Sequence, residues 1–425
     1  MKKSSVLFRK SILSLALLGV TSSGFAETTE DKLTQLQQQV LQLQTMLQQQ
    51  KEEVGQSLQK EVSKPAVLPD LTHLVTKNGT EVELYGNLRA DASYQMKGGS
   101  LMYNTLNSVP LKDSVVEDAN AHKFQSTLNV TRFGINLTGP QAWSHKVGGK
   151  LEMDFFGGAA RDTFRIRHAY ITLDNWLIGQ TWSNFNAIEY FPETVDASLS
   201  AGGSLTRTAQ VKYTYQFDSR LNFAVSLEDP KTETGDPDSK LEIPSATGRF
   251  NYKFSNDSVV SGRLFLTQKS TNHDQRDDFI AWGVALGGKY QITPTTLIRA
   301  DYNHIKGDSK NVLFANSGYK FDENGKMQAN ELNALTLGVT QKITPKIRST
   351  IGLGYMRAGS NNEFAQLAQN DTTQNKVLKQ VWINAFYTPV PAVNVGIEYM
   401  YGERETFNDN KGIDNRINAT VAYSF

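Results

Sequence analysis

From Glu81 to Phe425 polar and apolar residues alternate with a period of two, in stretches of about 10–14 residues, and no helical period is sustained. Over 81–94, Val82, Leu84, Gly86, Leu88, Ala90 and Ala92 take one face; Glu81, Glu83, Tyr85, Asn87, Arg89 and Asp91 take the other. Over 143–155, Trp143, Val147, Leu151, Met153 and Phe155 stand opposite Lys146, Lys150, Glu152 and Asp154. Over 391–402, Val393, Val395, Ile397, Tyr399 and Tyr401 stand opposite Asn394, Gly396, Glu398 and Met400. Tight-turn signals recur at Thr138-Gly139-Pro140, Asp174-Asn175, Asp218-Ser219, Asn256-Asp257, Thr293-Pro294, Thr344-Pro345 and Pro389 to Pro391. Between them lie longer polar segments at 95–121, 156–162, 184–206, 229–242, 269–277, 308–328, 359–374 and 403–411. Seven short turns and eight long loops separate about 16 antiparallel strands and put both ends of 81–425 on the short-turn side. The pattern predicts an all-β transmembrane barrel, against a soluble sandwich or propeller.

Two further signals agree. Aromatics close the apolar face near turns at Phe217, Phe254, Tyr290 and Tyr387, as an interfacial girdle does. The chain ends with Val421, Tyr423 and Phe425 on one face, a terminal aromatic of the kind outer-membrane assembly reads.

The N-terminal part has a different period. Residues 1–26 read as a secretory signal: Lys2, Lys3, Arg9 and Lys10, an apolar stretch from Ile12 to Val20, then Gly24-Phe25-Ala26 before the cleavage point. Over 27–60, Leu33, Leu36, Val40, Leu43 and Leu47 alternate three and four apart, an a/d seam that predicts a short α-helical coiled coil. Its glutamine-rich flanks offer little charge selection, and so short a seam is marginal for a lone helix pair. Gly55, Pro65 and Pro69 end it, which makes 61–80 a linker to the barrel of 81–425.

Composition narrows the classes. No cysteine means no disulfide, thiolate metal site or cysteine nucleophile. A mean hydropathy of −0.42 with no long apolar run excludes a multi-span helical membrane protein. The full chain carries 44 basic and 43 acidic residues; losing the signal's four cations leaves 40 against 43, so no nucleic-acid surface is expected. The histidines, His73, His122, His145, His168, His273 and His304, form no i,i+4 metal pair, and no Gly-x-Ser-x-Gly occurs. His168 beside Arg167, with Ser183 nearby, is the one place to look for catalysis; neither a catalytic residue, a metal site nor a cofactor is expected.

A 16-stranded barrel is too wide for its own side chains to fill, so function is written on the inward face. Parity places Arg89, Arg132, Lys150, Arg165, Arg167, Lys212, Arg249, Lys253, Arg263, Lys289, Arg299, Arg348, Arg404 and Arg416 there, against Glu81, Glu83, Asp91, Glu152, Asp154, Asp301 and Glu398. Strands 122–138 and 163–174 switch face partway, which bears on Arg132, Arg165 and Arg167. The third long loop, 184–206, holds Glu189, Glu193 and Asp196 and, over 184–196, no basic residue. An acidic loop folded against a basic wall would constrict the lumen and set a transverse field. Arg89, Arg132, Lys150, Arg165, Arg167, Arg249, Arg263, Arg299 and Arg348 are the pore-lining candidates for small anions, since arginine suits bidentate capture of carboxylate. The competing reading is that they pair with loop acids for rigidity.

The 16 strands, the long third loop with Phe191-Pro192-Glu193 and the terminal Phe425 resemble the general-porin architecture. With the heptad from Leu33 to Leu47 added, the chain is similar to the DcaP-like trimeric porins of Gram-negative outer membranes. The resemblance implies a homotrimer embedded in outer-membrane lipid, a periplasmic N-terminal coiled coil, three parallel pores and a preference for small dianions such as dicarboxylates. The alternative is a structural outer-membrane protein or adhesin whose coiled coil tethers to peptidoglycan.

Overall fold

The computed structural model describes residues 73–425, apart from 104–105, 231–235, 241 and 273–275, and separate helical positions between 34 and 48. Contacts divide the chain into Met1–Pro69 and Asp70–Phe425. In the first unit Thr34, Gln38, Val40 to Gln42, Gln44 to Met46 and Gln48 are helical, and Val40, Leu41 and Met46 are exposed. Leu33, Leu36, Leu43 and Leu47 of the expected seam, and the signal segment 1–26, lie outside the described residues.

The second unit is a closed antiparallel barrel. Its strands are β1 (Glu81–Lys97), β2 (in two pieces, Lys123–Thr127 and Arg132–Thr138), β3 (Val147–Gly157), β4 (Thr163–Leu173), β5 (Trp176–Trp182), β6 (Arg207–Gln216), β7 (Leu221–Glu228) and β8 (Ser245–Ser255). They continue as β9 (Ser258–Thr271), β10 (Asp277–Thr293), β11 (Thr296–Lys306), β12 (Glu331–Lys342), β13 (Ile347–Ala358), β14 (Asn375–Tyr387), β15 (Val393–Thr406) and β16 (Lys411–Ser424). The sheet's 19 hydrogen-bonded segments are these 16 strands, with β2 counted twice, plus the short pieces His73–Val75 and Ser239–Lys240. His73–Val75 folds back on Glu81–Glu83, so the segment expected as linker through residue 80 is in part the edge of the barrel. All seven expected turns and all eight expected loops join consecutive strands.

The strands form because alternation lets one face meet lipid and the other the lumen. On β15, Val395, Ile397 and Tyr399 are exposed outward while Glu398 and Met400 are buried inward. Both expected face switches occur. On β2 the outward set passes from Phe124 and Leu128 to Phe133 and Leu137 across the break at 128–131. On β4, Glu152 pairs with His168 but Met153 with Ile166, so Arg167 is an extra residue and Arg167 and His168 both face the lumen. Closure joins β1 to β16. Gly86 exchanges backbone hydrogen bonds with Phe425 at 2.9 and 3.1 Å, and the Phe425 ring occupies the space a Cβ on residue 86 would take.

Much of the lumen is solid. Leu106 and Val109 of the first long loop, Phe185 and Ala201 of the third, and Val312 of the sixth pack with inward Phe265, Ile305, Leu332, Met356 and Leu378 into one buried cluster. Burying such side chains against each other is worth about 1.5–3 kcal/mol apiece. A large cavity is left on the β1–β6 side.

Candidate functional site

The third long loop is fastened to the wall of β8–β16. Phe185 packs edge-on against Phe265, centroids 4.8 Å apart. Arg249 Nη1 donates to Asn186 O at 2.7 Å, and Arg263 Nη1 to Phe185 O at 2.7 Å. Pro192 rests on Gly338 and Ala201 O on Gly354; a Cβ at either glycine would lie 2.4 Å from the loop. Trp382 Nε1 and Asn384 Nδ2 donate to Glu193 O at 2.9 and 2.8 Å. Glu398 then accepts from Thr194 Oγ1, Val195 N and Asp196 N, so an inward carboxylate holds the loop where it turns.

This fastening uses the loop acids. Glu193 makes a bidentate pair with Arg348, Nη2 to Oε1 being 2.7 Å. Glu189 pairs with Arg249, and Asp196 is buried against Arg416. Arg263 is consumed by Asp301 and Arg89 by Asp91 at 2.8 Å. Arg299 donates to Thr340 Oγ1 at 3.2 Å and makes no ion pair among the described residues. Each loop acid is thus paired with an arginine of the wall behind the loop, and Asp196 also borders the cavity on the other side.

The opposite wall is different. A cavity of about 1020 Å³ lies between the loop and β1–β6. Its charged lining is Arg89, Arg132, Arg161, Arg165, Arg167 and Arg207 against Glu152, Asp154 and Asp196. Three guanidiniums share two carboxylates: Arg165 Nη2 meets Asp154 Oδ2 at 2.7 Å, Arg167 meets Glu152 at 2.6 Å and Asp154 at 2.8 Å, and Arg132 meets Glu152 at 3.4 Å. Tyr85 donates to Glu152 Oε2 at 2.8 Å, and Lys150 stands 4.6 Å over the Tyr85 ring. Arg207 stacks 4.5 Å over Trp182, and Arg161 donates to Tyr103 O while lying over Phe156. Leu313 and Phe314 of the sixth loop close one side, Leu313 N donating to Gly203 O at 2.7 Å.

Of the sequence candidates, Arg89, Arg132, Arg165 and Arg167 line this cavity; Lys150, Arg249, Arg263, Arg299 and Arg348 do not. Arg161 and Arg207 were missed. Arg161 sits in the loop 158–162, where strand parity does not apply, with φ of 56°. Arg207 opens β6 on the outward parity and still reaches the lumen over Trp182. His168 Nδ1 meets Thr181 Oγ1 at 2.9 Å, whereas Ser183 Oγ accepts from Phe185 N; no His–Ser pair forms. Among the described residues no cluster of His, Asp and Glu could hold a metal.

The sequence matches the model of the DcaP outer membrane protein family over residues 19–425. The outer membrane channel DcaP of Acinetobacter baumannii has a crystal structure that superposes with a TM-score of 0.77 at 32% identity, covering 84% of this chain and all of that one. An anion-selective porin from Comamonas acidovorans gives 0.55 at 10% identity, covering 81% of this chain and 100% of that one. OmpT of Vibrio cholerae in a trimer form gives 0.51 at 16% identity, covering 81% and 99%. These last two share the fold alone. Comparison with curated protein sequences finds no match.

Proposed function

The chain belongs to the DcaP outer membrane protein family, whose barrel is a channel and not an enzyme, and we propose that this barrel is a passive pore favouring small hydrophilic anions, dicarboxylates among them, and working as a homotrimer. The observation that carries the reading is the lining of the open cavity, where six arginines stand against three carboxylates, one of them already paired with Arg416 behind the loop. With Glu189 and Glu193 paired to Arg249 and Arg348 on the far wall, a permeating ion meets a lining in which guanidiniums outnumber carboxylates. Guanidiniums engage a carboxylate through two parallel hydrogen bonds. Their existing bonds to Glu152 and Asp154 fix their orientation and keep each new contact weak enough to break, which conduction requires.

The sequence supports the N-terminal heptad as a periplasmic coiled coil that helps hold three copies together. The measurement is reversal potential across a planar bilayer under a salt gradient. Anion selectivity that falls on neutralising Arg161 and Arg207 supports the reading. Cation selectivity would overturn it, and absence of conductance would favour a tethering role for the coiled coil.

A further inference from the structure

Three described cations face outward at the loop-side rim of β11–β14. Lys306 ends β11, Arg357 lies near the end of β13, and Lys379 lies near the start of β14, all three exposed. They share the outward parity of Tyr302, Ile351 and Val381 on the same strands. None makes a hydrogen bond or ion pair to a described residue. The register brings them together: Lys306 stands opposite Glu331, Arg357 opposite Asn333 on the same strand, and Lys379 opposite Tyr355. Arg357 and Lys379 are diagonal neighbours on adjacent strands, about 7–8 Å apart at the backbone and within mutual reach of their long side chains. Lys306 joins them from across β12.

The surroundings set the depth. Tyr355 stands one outward step below Arg357, and Tyr302 two below Lys306, towards the apolar belt, where interfacial aromatics sit. Of the acids opposite them, Glu403 is held by Lys411 at 3.1 Å, and Glu331 lies 3.7 Å from the His304 ring. On β1–β4 the corresponding rim positions are Tyr94, Met96, Phe124, Phe155 and Phe164, none of them charged. A cation facing lipid is retained where its stem lies on apolar surface and its head reaches an anion at headgroup level. Of the lipid headgroup anions, phosphate suits this set best, since arginine grips it bidentately and lysine as a point charge.

We infer that Lys306, Arg357 and Lys379 form a site on the outer wall for the phosphate of an anionic glycolipid in the outer leaflet. The site is separate from the lumen, and its failure would leave the pore reading untouched.

Native mass spectrometry of the full-length protein in detergent, with bisphosphorylated lipid A and its dephosphorylated counterpart as probes, tests this. The wild type is expected to retain the phosphorylated form at least about fivefold better. The K306Q/R357Q/K379Q variant should lose that preference, and K342Q/K346Q, on the short-turn side, should keep it. Folding is checked by heat-dependent gel mobility; should the triple variant not assemble, R357Q and K379Q singly must each lower retention, and K379R must not. Equal retention by wild type and variant, equal binding of the dephosphorylated lipid, or displacement by millimolar inorganic phosphate would each overturn the inference. So would efficient disulfide cross-linking of R357C between copies, which would make the sector an interface within the oligomer.

Discussion

Removing Arg161 and Arg207 together changes the charge of the pore at the cost of the Arg161 contacts to Tyr103 O and Phe156 and the Arg207 stack on Trp182. The wall network of Arg132, Glu152, Arg167, Asp154 and Arg165 is complete without them. The cavity lining carries six arginines and three carboxylates, so R161Q/R207Q reduces a surplus of three to one. A small ion about 8 Å from a guanidinium in water feels about 0.5 kcal/mol per charge. Screening lowers that to about 0.2 kcal/mol at 0.15 M salt and leaves about 0.4 kcal/mol at 0.01 M. Losing two charges therefore disfavours an anion by about 0.4 kcal/mol and favours a cation equally at 0.15 M, a roughly fourfold fall in the anion-to-cation permeability ratio. At 0.01 M the same arithmetic gives a fall of about fifteenfold. Reversal potentials of wild type and variant at both ionic strengths measure it. An unchanged ratio, or the same fall at both salt concentrations, would refute the claim that these side chains act on permeating ions through their charge.

Other predictions probe the loop and its supports. Breaking the Arg348–Glu193 pair with R348Q should increase open-channel noise; because both side chains are partly exposed, a double-mutant cycle with E193Q should show a coupling of only about 1 kcal/mol in thermal dissociation. Gly338→Val places a side chain where Pro192 lies 2.4 Å from the ideal Cβ, so the loop should shift towards the open side and single-channel conductance should drop. Deleting Phe425 removes the ring over Gly86 and the last pairings that close β1 to β16, so the heat-stable barrel should form in lower yield, read by gel mobility. Outside the membrane, burial would raise the Asp371 carboxyl, but hydrogen bonds from Lys320 and Thr373 outweigh it and hold the carboxyl below its usual range. A depressed carboxylate stabilises the fold above its unfolded value, so the Lys320–Asp371 tie between two long loops should hold above about pH 4 and loosen as pH falls below it. Pepsin cleavage within 307–330, divided at each pH by cleavage of an unstructured peptide to remove the protease's own pH dependence, should rise as pH falls in the wild type and stay level in D371N.

Period-two alternation and turn chemistry made the strands, turns and loops legible, because both are local: each residue declares its face and each turn its backbone need. Even the face switches on β2 and β4 could be read, since apolar parity changes there. The inward apolar set was not legible. Phe265, Met356, Leu378 and Trp382 break the polar-inward rule because they meet loops folded into the lumen, a contact between segments far apart in sequence. Runs such as Leu264-Phe265-Leu266 and Val381-Trp382-Ile383, apolar on both faces, are the signal that could have shown it.

The sequence by itself determined a barrel, its 16 strands, the end at which its long loops lie and the inward parity of charged residues within the strands. Tertiary structure alone decided which inward charges remain available. Arg249, Arg348 and Arg416 are inward like Arg132, Arg165 and Arg167, yet the loop brings Glu189, Glu193 and Asp196 against the first group and leaves the second facing the cavity. The physical reason is that parity reports which way a side chain points, whereas a charge is neutralised or free according to what stands within a few ångströms of it. In this barrel that neighbour arrives from a loop whose path is set by glycine contacts, an aromatic anchor and the buried Glu398, none of which alternation encodes.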